Sequence, residues 1–322
     1  MKIWALGDAV VDLLPQGHQQ YEACAGGAPA NVAVGVSRLG VSSGFIGRVG
    51  DDPFGLFMRE SLEENGVDCQ HVEQDEHHRT STTLVSLEKS GERSFTFLVN
   101  PPADRFLARR SLPSKEADLL HSCSLALVGG SCREALWALT EQVKQQKGIV
   151  SFDVNLRSQM WDDAVVMKQE IVRYSQQADI LKLSESELFW LTSTRDGDWK
   201  SALDALRAYP AELKAITCGS DGGIVLYRGE TFRFNAYSTT SIDTTGAGDA
   251  FVAGLLTGIT LRGFPQTDET LSGLISRASA CGALSVSQKG AWRGLPTAEQ
   301  LQQFLSLYPT FRMESVGQLW DD

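Results

Sequence analysis

Short apolar runs alternate with amphipathic segments along most of the chain, and each kind of segment predicts a different element. Short continuous apolar runs are typical of buried strands. Six are predicted, at Ile3–Leu6, Gly44–Val49, Leu125–Val128, Ile149–Phe152, Ile180–Leu183 and Ala215–Cys218, and helical periodicity covers Asn31–Leu39 and Glu134–Lys147. This alternation favours an α/β fold, an open and mostly parallel sheet with helices on both faces. Ligands bind such sheets beyond the carboxyl ends of the strands.

Two stretches break the alternation and are typical of strand pairs joined by polar turns. Val10–Leu14 pairs with Tyr21–Ala25 around Gln16-Gly17-His18, and Ser81–Leu87 pairs with Arg93–Val99 around Lys89-Ser90-Gly91. We expect these strands to form a small β-sheet that projects from the crevice as a lid. One face of this sheet would expose Val, Leu and Phe side chains, so we expect a second subunit to cover it in a homodimer.

The composition narrows the function classes. The 322 residues are 42% apolar and 21% charged, as in ordinary globular proteins, and the net charge of −11 comes with no basic block. This excludes a nucleic-acid surface, which needs clustered Lys and Arg. No stretch approaches the roughly 18 apolar residues of a membrane span, and no signal-peptide pattern occurs, so a cytoplasmic location is expected. The six cysteines lack metal-site or framework spacing, which favours reduced, buried thiols.

The most informative motif is Ile242-Asp243-Thr244-Thr245-Gly246-Ala247-Gly248-Asp249-Ala250-Phe251, a glycine-rich turn directly before the helical run Ala250–Thr260. Backbone N–H groups converge at a helix N-terminus, and the two glycines let a phosphate approach closely. Asp249 lies in the first turn, where the helix dipole favours an ionised carboxylate that can accept a hydroxyl proton. The motif therefore predicts a phosphoryl-transfer site. A tight turn with an acidic cap is the structural alternative.

A second motif, Gly26-Gly27-Ala28-Pro29-Ala30-Asn31, predicts a helix start with small residues that let a ligand lie against the backbone. Together with Asp12 it supplies a carboxylate and an amide that can hydrogen-bond sugar hydroxyls. A P-loop is excluded because no G-x-x-x-x-G-K-[ST] occurs, and a dinucleotide fingerprint is weakened because Gly246 and Gly248 lack a third glycine.

The two motifs together resemble the signatures of the ribokinase-like (PfkB) family of carbohydrate kinases. The N-terminal signature also matches Gly47-x-x-Gly50-Asp51-Asp52-x-x-Gly55, and the resemblance runs from Gly7 to about Pro296. It implies ATP-dependent phosphoryl transfer to a sugar hydroxyl, a nine-stranded type of core and a β-lid that often mediates dimers. On this basis the core would comprise 1–9, 26–78 and 101–310, the lid 10–25 and 79–100, and a C-terminal tail 311–322.

The resemblance also implies a role for each matching residue. Asp249 would be the base, and the backbone of Gly246, Ala247 and Gly248 would form the anion hole for the transferred phosphoryl group. Sugar-binding positions would be Asp12, Gly26, Gly27 and Asn31, and nucleotide-binding positions would be Asn155, Arg157, Ser184, Glu187, Thr217, Gly219, Gly222 and Ser279. A monovalent cation, K⁺, would bind at Asp243, Thr245 and Gly290. Glu187 would act on Mg²⁺ indirectly, although Ser184 replaces the Asn that is usual in the family.

The sugar is indicated by three segments that look most like bacterial fructokinases, Gly7–Pro15, Gly91–Phe97 and Lys182–Leu188. In addition, Asp153-Val154-Asn155-Leu156-Arg157 resembles the D-x-N-x-R of fructokinases and related sugar kinases. The forked guanidinium of Arg157 suits nucleotide phosphates. Fructose, phosphorylated at its C6 hydroxyl, is the expected acceptor, and Arg93 of the lid is an expected sugar contact. Aminoimidazole riboside kinases share much of the same pattern, so this riboside is the alternative acceptor. A sugar or nucleotide sensor without catalysis is a further alternative, which the retained Asp249 disfavours.

Overall fold

The computed structural model describes residues 1–87, 93–109, 112 and 118–316. Within these residues the main sheet has ten strands in the order β14-β13-β12-β11-β10-β9-β8-β1-β4-β5. Their bounds are Ile3–Leu6 (β1), Ser43–Gly50 (β4), Asp68–Asp75 (β5), Leu119–Cys123 (β8), Ile149–Asp153 (β9), Ile180–Ser184 (β10), Leu213–Thr217 (β11), Gly223–Tyr227 (β12), Glu230–Phe234 (β13) and Met313–Ser315 (β14). Neighbours from β5 to β11 pair in parallel and those from β11 to β14 antiparallel. The predicted mostly parallel sheet is confirmed.

Helices cover both faces of this sheet, as predicted. Those in the described part of the chain are Ala28–Arg38 (α1), Pro53–Glu64 (α2), Gly130–Gln145 (α3), Ala164–Ser175 (α4), Glu185–Thr192 (α5), Trp199–Arg207 (α6), Ala247–Arg262 (α7), Asp268–Ser285 (α8) and Ala298–Leu307 (α9). Successive side chains of a strand point to opposite faces. Accordingly Ile3 and Ala5 pack in one core with α1, α7 and α8, whereas Trp4 and Leu6 pack in a second core with α3 to α6.

A separate four-stranded sheet comprises Val10–Gly17 (β2), Gln20–Gly26 (β3), Thr82–Leu87 (β6) and Arg93–Phe97 (β7). Both predicted hairpin pairs are antiparallel, and β2 joins them by pairing in parallel with β6. The first turn is made by His18 and Gln19, both with positive φ. The predicted turn Lys89-Ser90-Gly91 lies outside the described residues.

One predicted strand is wrong. Leu125–Val128 is not a strand, because Ser124–Leu127 forms a short 3₁₀ helix and the strand is β8 just before it. The β8 sequence contains His121 and Ser122, which made it look less like a buried strand. Both are satisfied by neighbouring strands, since His121 Nδ1 lies 3.0 Å from Ser151 Oγ and Ser122 Oγ donates to the Leu6 carbonyl at 2.9 Å.

Two smaller differences concern the chain ends and the thiols. Met313–Ser315 lies in the segment expected to be a tail, yet it pairs with β13 as an edge strand of the main sheet. All six cysteines are free, and Cys69, Cys123, Cys132 and Cys281 are buried, whereas Cys24 and Cys218 are partly exposed. Across the described ranges, each helix is too short or too polar to span a membrane.

Candidate active site

The starts of α1 and α7 lie side by side, and they bring the two sequence motifs together. The two helices pack closely where Gly35 of α1 faces Ala253 of α7. A Cβ built on Gly35 would lie only 2.7 Å from Ala253 Cβ, so the absence of a side chain at Gly35 permits this close packing. Gly27 and Gly246 immediately precede the two helices, and both have positive φ. Two positive helix ends therefore face the same small region of the molecule.

A hydrogen-bonded chain fixes the acid in this region. Asn31 Nδ2 donates to Asp249 Oδ2 at 2.6 Å, and Trp292 Nε1 donates to Asn31 Oδ1 at 2.6 Å. All three side chains are buried. Because an indole can only donate, Trp292 fixes which end of the Asn31 amide points to Asp249. Burial raises the pKa of Asp249, while the Asn31 hydrogen bond and the positive charges of Lys182 and Arg157 act to lower it.

The residues expected to bind sugar lie on the lid side of Asp249. Gly27 has φ +100°, and a Cβ there would lie 2.4 Å from the Asp8 carbonyl oxygen, so no other residue fits this position. A Cβ on Gly26 would lie 2.7 Å from Asp12 Oδ2, which puts the Asp12 carboxylate against the start of α1. Asp12, Gly26, Gly27 and Asn31 are thus brought together. The side chain of Arg93 lies outside the described residues.

Four of the eight residues expected to bind nucleotide line a cleft of about 660 Å³ that adjoins the anion hole, whereas Arg157, Ser184 and Glu187 line a second depression. Thr217, Gly219 and Gly222 line this cleft together with Ser279 of α8, and Ala247 and Gly248 of the anion hole also belong to its lining. The wall also contains residues that the sequence did not single out: Phe234, Tyr237, Thr244, Phe251 and Val286. An apolar cleft that ends at backbone N–H groups is suited to a planar ring system followed by phosphates.

Ser184 and Glu187 form the start of α5. Ser184 Oγ accepts from Glu187 N, while the Glu187 carboxylate accepts from Ser184 N at 2.7 Å and from Leu156 N at 2.7 Å. This capping box ties α5 to the loop after β9. Arg157, which is exposed, lines the same open depression as Ser184 and Glu187, and Asn155 holds that loop by accepting from Ser124 Oγ at its carbonyl.

Asp243 organises the loop expected to hold a monovalent cation. Its Oδ1 accepts from Thr245 N at 2.9 Å and its Oδ2 accepts from Gly290 N at 2.8 Å. The three predicted residues are therefore in contact, directly before the anion hole. Over the ranges that the structure describes, no group of three or more His, Cys, Asp or Glu side chains could hold a metal ion.

A buried ion pair also adjoins the anion hole, and sequence reasoning missed it. Lys182 Nζ of β10 lies 3.1 and 3.3 Å from the carboxylate oxygens of Asp153 at the end of β9. Burial raises the pKa of Asp153 to about 7. Burial acts against charge on Lys182 as well, but Asp153, Glu187 and Asp249 outweigh it, so the pKa of Lys182 is also raised. The available signal was a lone lysine inside the predicted apolar strand Ile180–Leu183.

Comparison with known proteins gives a family match over most of the chain. The model of the "pfkB family carbohydrate kinase" matches residues 5–298. Among curated proteins, the chain is 44% identical over 302 residues to "Fructokinase" from Escherichia coli, which covers 94% of this chain and 98% of that protein.

Two solved structures share the fold in detail. A double mutant of the fructokinase from Vibrio cholerae O395, with fructose, ADP and a potassium ion bound, has a TM-score of 0.88 at 42% identity, covering 94% of this chain and 98% of that one. The aminoimidazole riboside kinase from Salmonella enterica, complexed with aminoimidazole riboside and an ATP analogue, has a TM-score of 0.87 at 37% identity, covering 95% of this chain and 100% of that one.

Proposed function

Because the chain belongs to the pfkB family of carbohydrate kinases, we propose that it is a fructokinase, which transfers the γ-phosphoryl group of ATP to the C6 hydroxyl of D-fructose. The observation that carries this proposal is the position of Asp249. The carboxylate lies in the first turn of α7, between the cleft suited to a nucleotide and the group of Asp12, Gly27 and Asn31 suited to a sugar.

The base and the anion hole are parts of one helix start. Asp249 accepts the proton of the attacking hydroxyl, while the N–H groups of the Gly246–Gly248 turn meet the charge on the transferred phosphoryl group. A raised pKa suits a base, since proton transfer is most effective when the pKa of the base is near the working pH. Asp12 and Asn31 orient the sugar, so that binding energy brings the hydroxyl into line.

The residues present fit the two cations that this reaction uses. Asp243 accepts from the backbone N–H groups of Thr245 and Gly290, which draws the loop together around one negative charge, and a single carboxylate suits K⁺ better than a divalent ion. Both oxygens of Glu187 are engaged by backbone N–H groups, so Glu187 acts on Mg²⁺ indirectly and the phosphates of ATP hold the ion. When bound with ATP, Mg²⁺ would neutralise the negative charge that develops on the phosphates during the transfer.

The small sheet acts as a lid and as the contact of a homodimer. Tyr21, Phe95 and Leu98 are 51%, 42% and 52% exposed, and all three belong to this sheet or directly follow it. Exposed apolar side chains on one small sheet favour burial against another apolar surface. A second copy of the same sheet supplies that surface in the homodimer.

ADP release tests the function directly. Purified protein is assayed with Mg-ATP and K⁺ against fructose, ribose, glucose, 2-keto-3-deoxygluconate and aminoimidazole riboside at matched concentrations. Fructose should give the highest kcat/KM. A higher kcat/KM for aminoimidazole riboside would show that the riboside, and not fructose, is the acceptor. The riboside is included because a riboside kinase of the same fold is 37% identical to this chain.

A catalytic variant separates kinase activity from sugar-independent ATP hydrolysis. Asp249→Ala should lower kcat by about two to four orders of magnitude, the scale of general-base loss. The proposed function would be refuted if the rate of ADP release were the same with and without sugar and the same in the wild type and in Asp249→Ala.

A further inference from the structure

Lys182 is a charged residue in the middle of the parallel sheet. Its side chain is 9% exposed and that of its partner Asp153 is 3% exposed. A buried ion pair is weak evidence for stability, because removing two charges from water costs about as much as their attraction returns. A contribution to the stability of the fold therefore does not explain why this ion pair lies next to the anion hole.

The ammonium group lies against the first turn of α7. A Cβ built on Gly248 would lie 2.9 Å from Lys182 Nζ, so the glycine leaves the space that the ammonium occupies. Because Gly248 does not have a positive φ, its backbone conformation does not require glycine. The lack of a side chain at this position is instead explained by the nearby ammonium group. A cation at a helix N-terminus is at the unfavourable end of the helix dipole. Lys182 thus adds positive charge where the backbone already supplies it.

Several charged groups surround Asp249 in the described part of the chain, and Lys182 is a buried cation among them. Arg157, in the loop after β9, is exposed, whereas Lys182 from β10 is 7% exposed. The negative groups that interact with this cluster are Asp8 after β1, Asp153 of β9 and Glu187 of α5. From α1, the neutral amide of Asn31 faces Asp249. From β8, the buried imidazole of His121 interacts with Lys182 and the buried thiol of Cys123 with Asp249, and burial keeps both groups uncharged by lowering the pKa of His121 to about 3 and raising that of Cys123.

We propose that Lys182 is a positioning residue for phosphoryl transfer, whose buried ammonium fixes a positive charge beneath the Gly246–Gly248 turn and beside Asp249. This inference rests on the proposed kinase function. The charge is present before any ligand binds, because Asp153 holds it in place. It favours the carboxylate form of Asp249 and adds to the attraction that the turn exerts on the transferred phosphoryl group.

The test is the pH profile of kcat for Lys182→Met, measured by ADP release at saturating ATP and fructose. We expect kcat to fall on the order of 10- to 100-fold, less than the roughly 10²–10³-fold loss of a direct oxyanion donor. The acidic limb of the profile should move to higher pH, because the pKa of Asp249 rises when the nearby positive charge is lost. KM for fructose should change little.

Two further variants separate this role from a structural one. Lys182→Met leaves Asp153 buried without its partner, so Lys182→Met/Asp153→Asn removes both charges. Our inference predicts that the double variant keeps a low kcat, because the positive charge beneath the turn is still missing. Its limb should shift by less than that of Lys182→Met, because the negative charge of Asp153, which opposes ionisation of Asp249, is lost as well. Lys214→Met is the matched control, since Lys214 is a buried lysine of the adjacent strand β11 that donates to the Ala211 carbonyl at 2.6 Å. It should leave both kcat and the pH profile unchanged.

Each outcome points to one conclusion. Recovery of kcat in the double variant would assign the defect to the unpaired Asp153 and overturn the inference, as would an unchanged profile in a folded Lys182→Met variant. A wild-type protein that releases no ADP with any sugar would instead overturn the proposed function.

Discussion

The hydrogen bond from Asn31 to Asp249 makes a quantitative prediction about the pH dependence of catalysis. Asn31→Leu keeps a side chain of similar size but removes the 2.6 Å bond to the carboxylate. This bond lowers the pKa of Asp249 against the effect of burial. A hydrogen bond to a charged group contributes about 1.5–3 kcal/mol, and 1.36 kcal/mol corresponds to one pH unit, so the acidic limb should move up by about one to two pH units.

The assay follows kcat from acidic to alkaline pH by ADP release, with saturating fructose so that weaker sugar binding does not enter. Well below the limb, where kcat falls tenfold per pH unit, the variant should be about 10- to 100-fold slower than the wild type, and the difference should narrow as the pH rises. Trp292→Phe removes only the 2.6 Å anchor of the amide oxygen and should shift the limb in the same direction by less. A limb that stays in place in Asn31→Leu, with kcat lowered equally at every pH, would refute the assignment of Asp249 as the base whose ionisation controls the rate.

Three other features give predictions of different kinds. Ser279→Phe puts a large ring into the 660 Å³ cleft and should raise KM for ATP at least about tenfold, an effect worth about 1.4 kcal/mol, while KM for fructose stays within twofold or so. Burial raises the pKa of Asp8 to about 6, so the native state loses stability as pH rises through that value. Asp8→Asn should therefore gain about 2 kcal/mol of unfolding free energy relative to wild type between pH 4.5 and pH 8 in urea titrations; parallel stability curves would contradict this. Phe95→Asp should give a monomer in sedimentation velocity if the lid sheets pair in a dimer, and an unchanged sedimentation coefficient would remove the lid from the interface.

The parts of the site that sequence patterns predicted are those whose chemistry is local. The Gly246–Asp249 turn and the Gly27–Asn31 turn each place small residues before a helix, and a helix start supplies N–H groups whatever the rest of the fold does. The meeting of the two turns is not local, because Asn31 and Asp249 are 218 positions apart. That meeting followed from the family resemblance, and the structure supplies its physical cause in the close packing of Gly35 on Ala253.

The features that sequence patterns missed depend on partners from distant elements. Nothing near Trp292 indicates that its indole orients an amide 261 positions earlier. The strand β8 was misplaced for a similar reason, since His121 and Ser122 look polar in sequence but are satisfied by Ser151 and by the Leu6 carbonyl from the two adjacent strands. Lys182 was also missed, but here the sequence did contain a signal. A charged residue in a buried strand must have a partner, and that requirement is visible before the partner is known.

The surroundings of Asp249 change its pKa in opposite directions, because burial raises it whereas Asn31 and Lys182 lower it. A kinase needs both the buried site and the charged carboxylate. Burial excludes the water that would otherwise accept the phosphoryl group, but burial alone would leave the carboxyl protonated and unable to act as a base. Asn31 and Lys182 restore the charged form without admitting water, one by a hydrogen bond and the other by a fixed charge. Since the two belong to different elements, α1 and β10, losing either one should raise the pKa of Asp249, and losing both should raise it further than either alone. A double variant with no greater shift than the single variants would mean that Asn31 and Lys182 act through one shared rearrangement of α7.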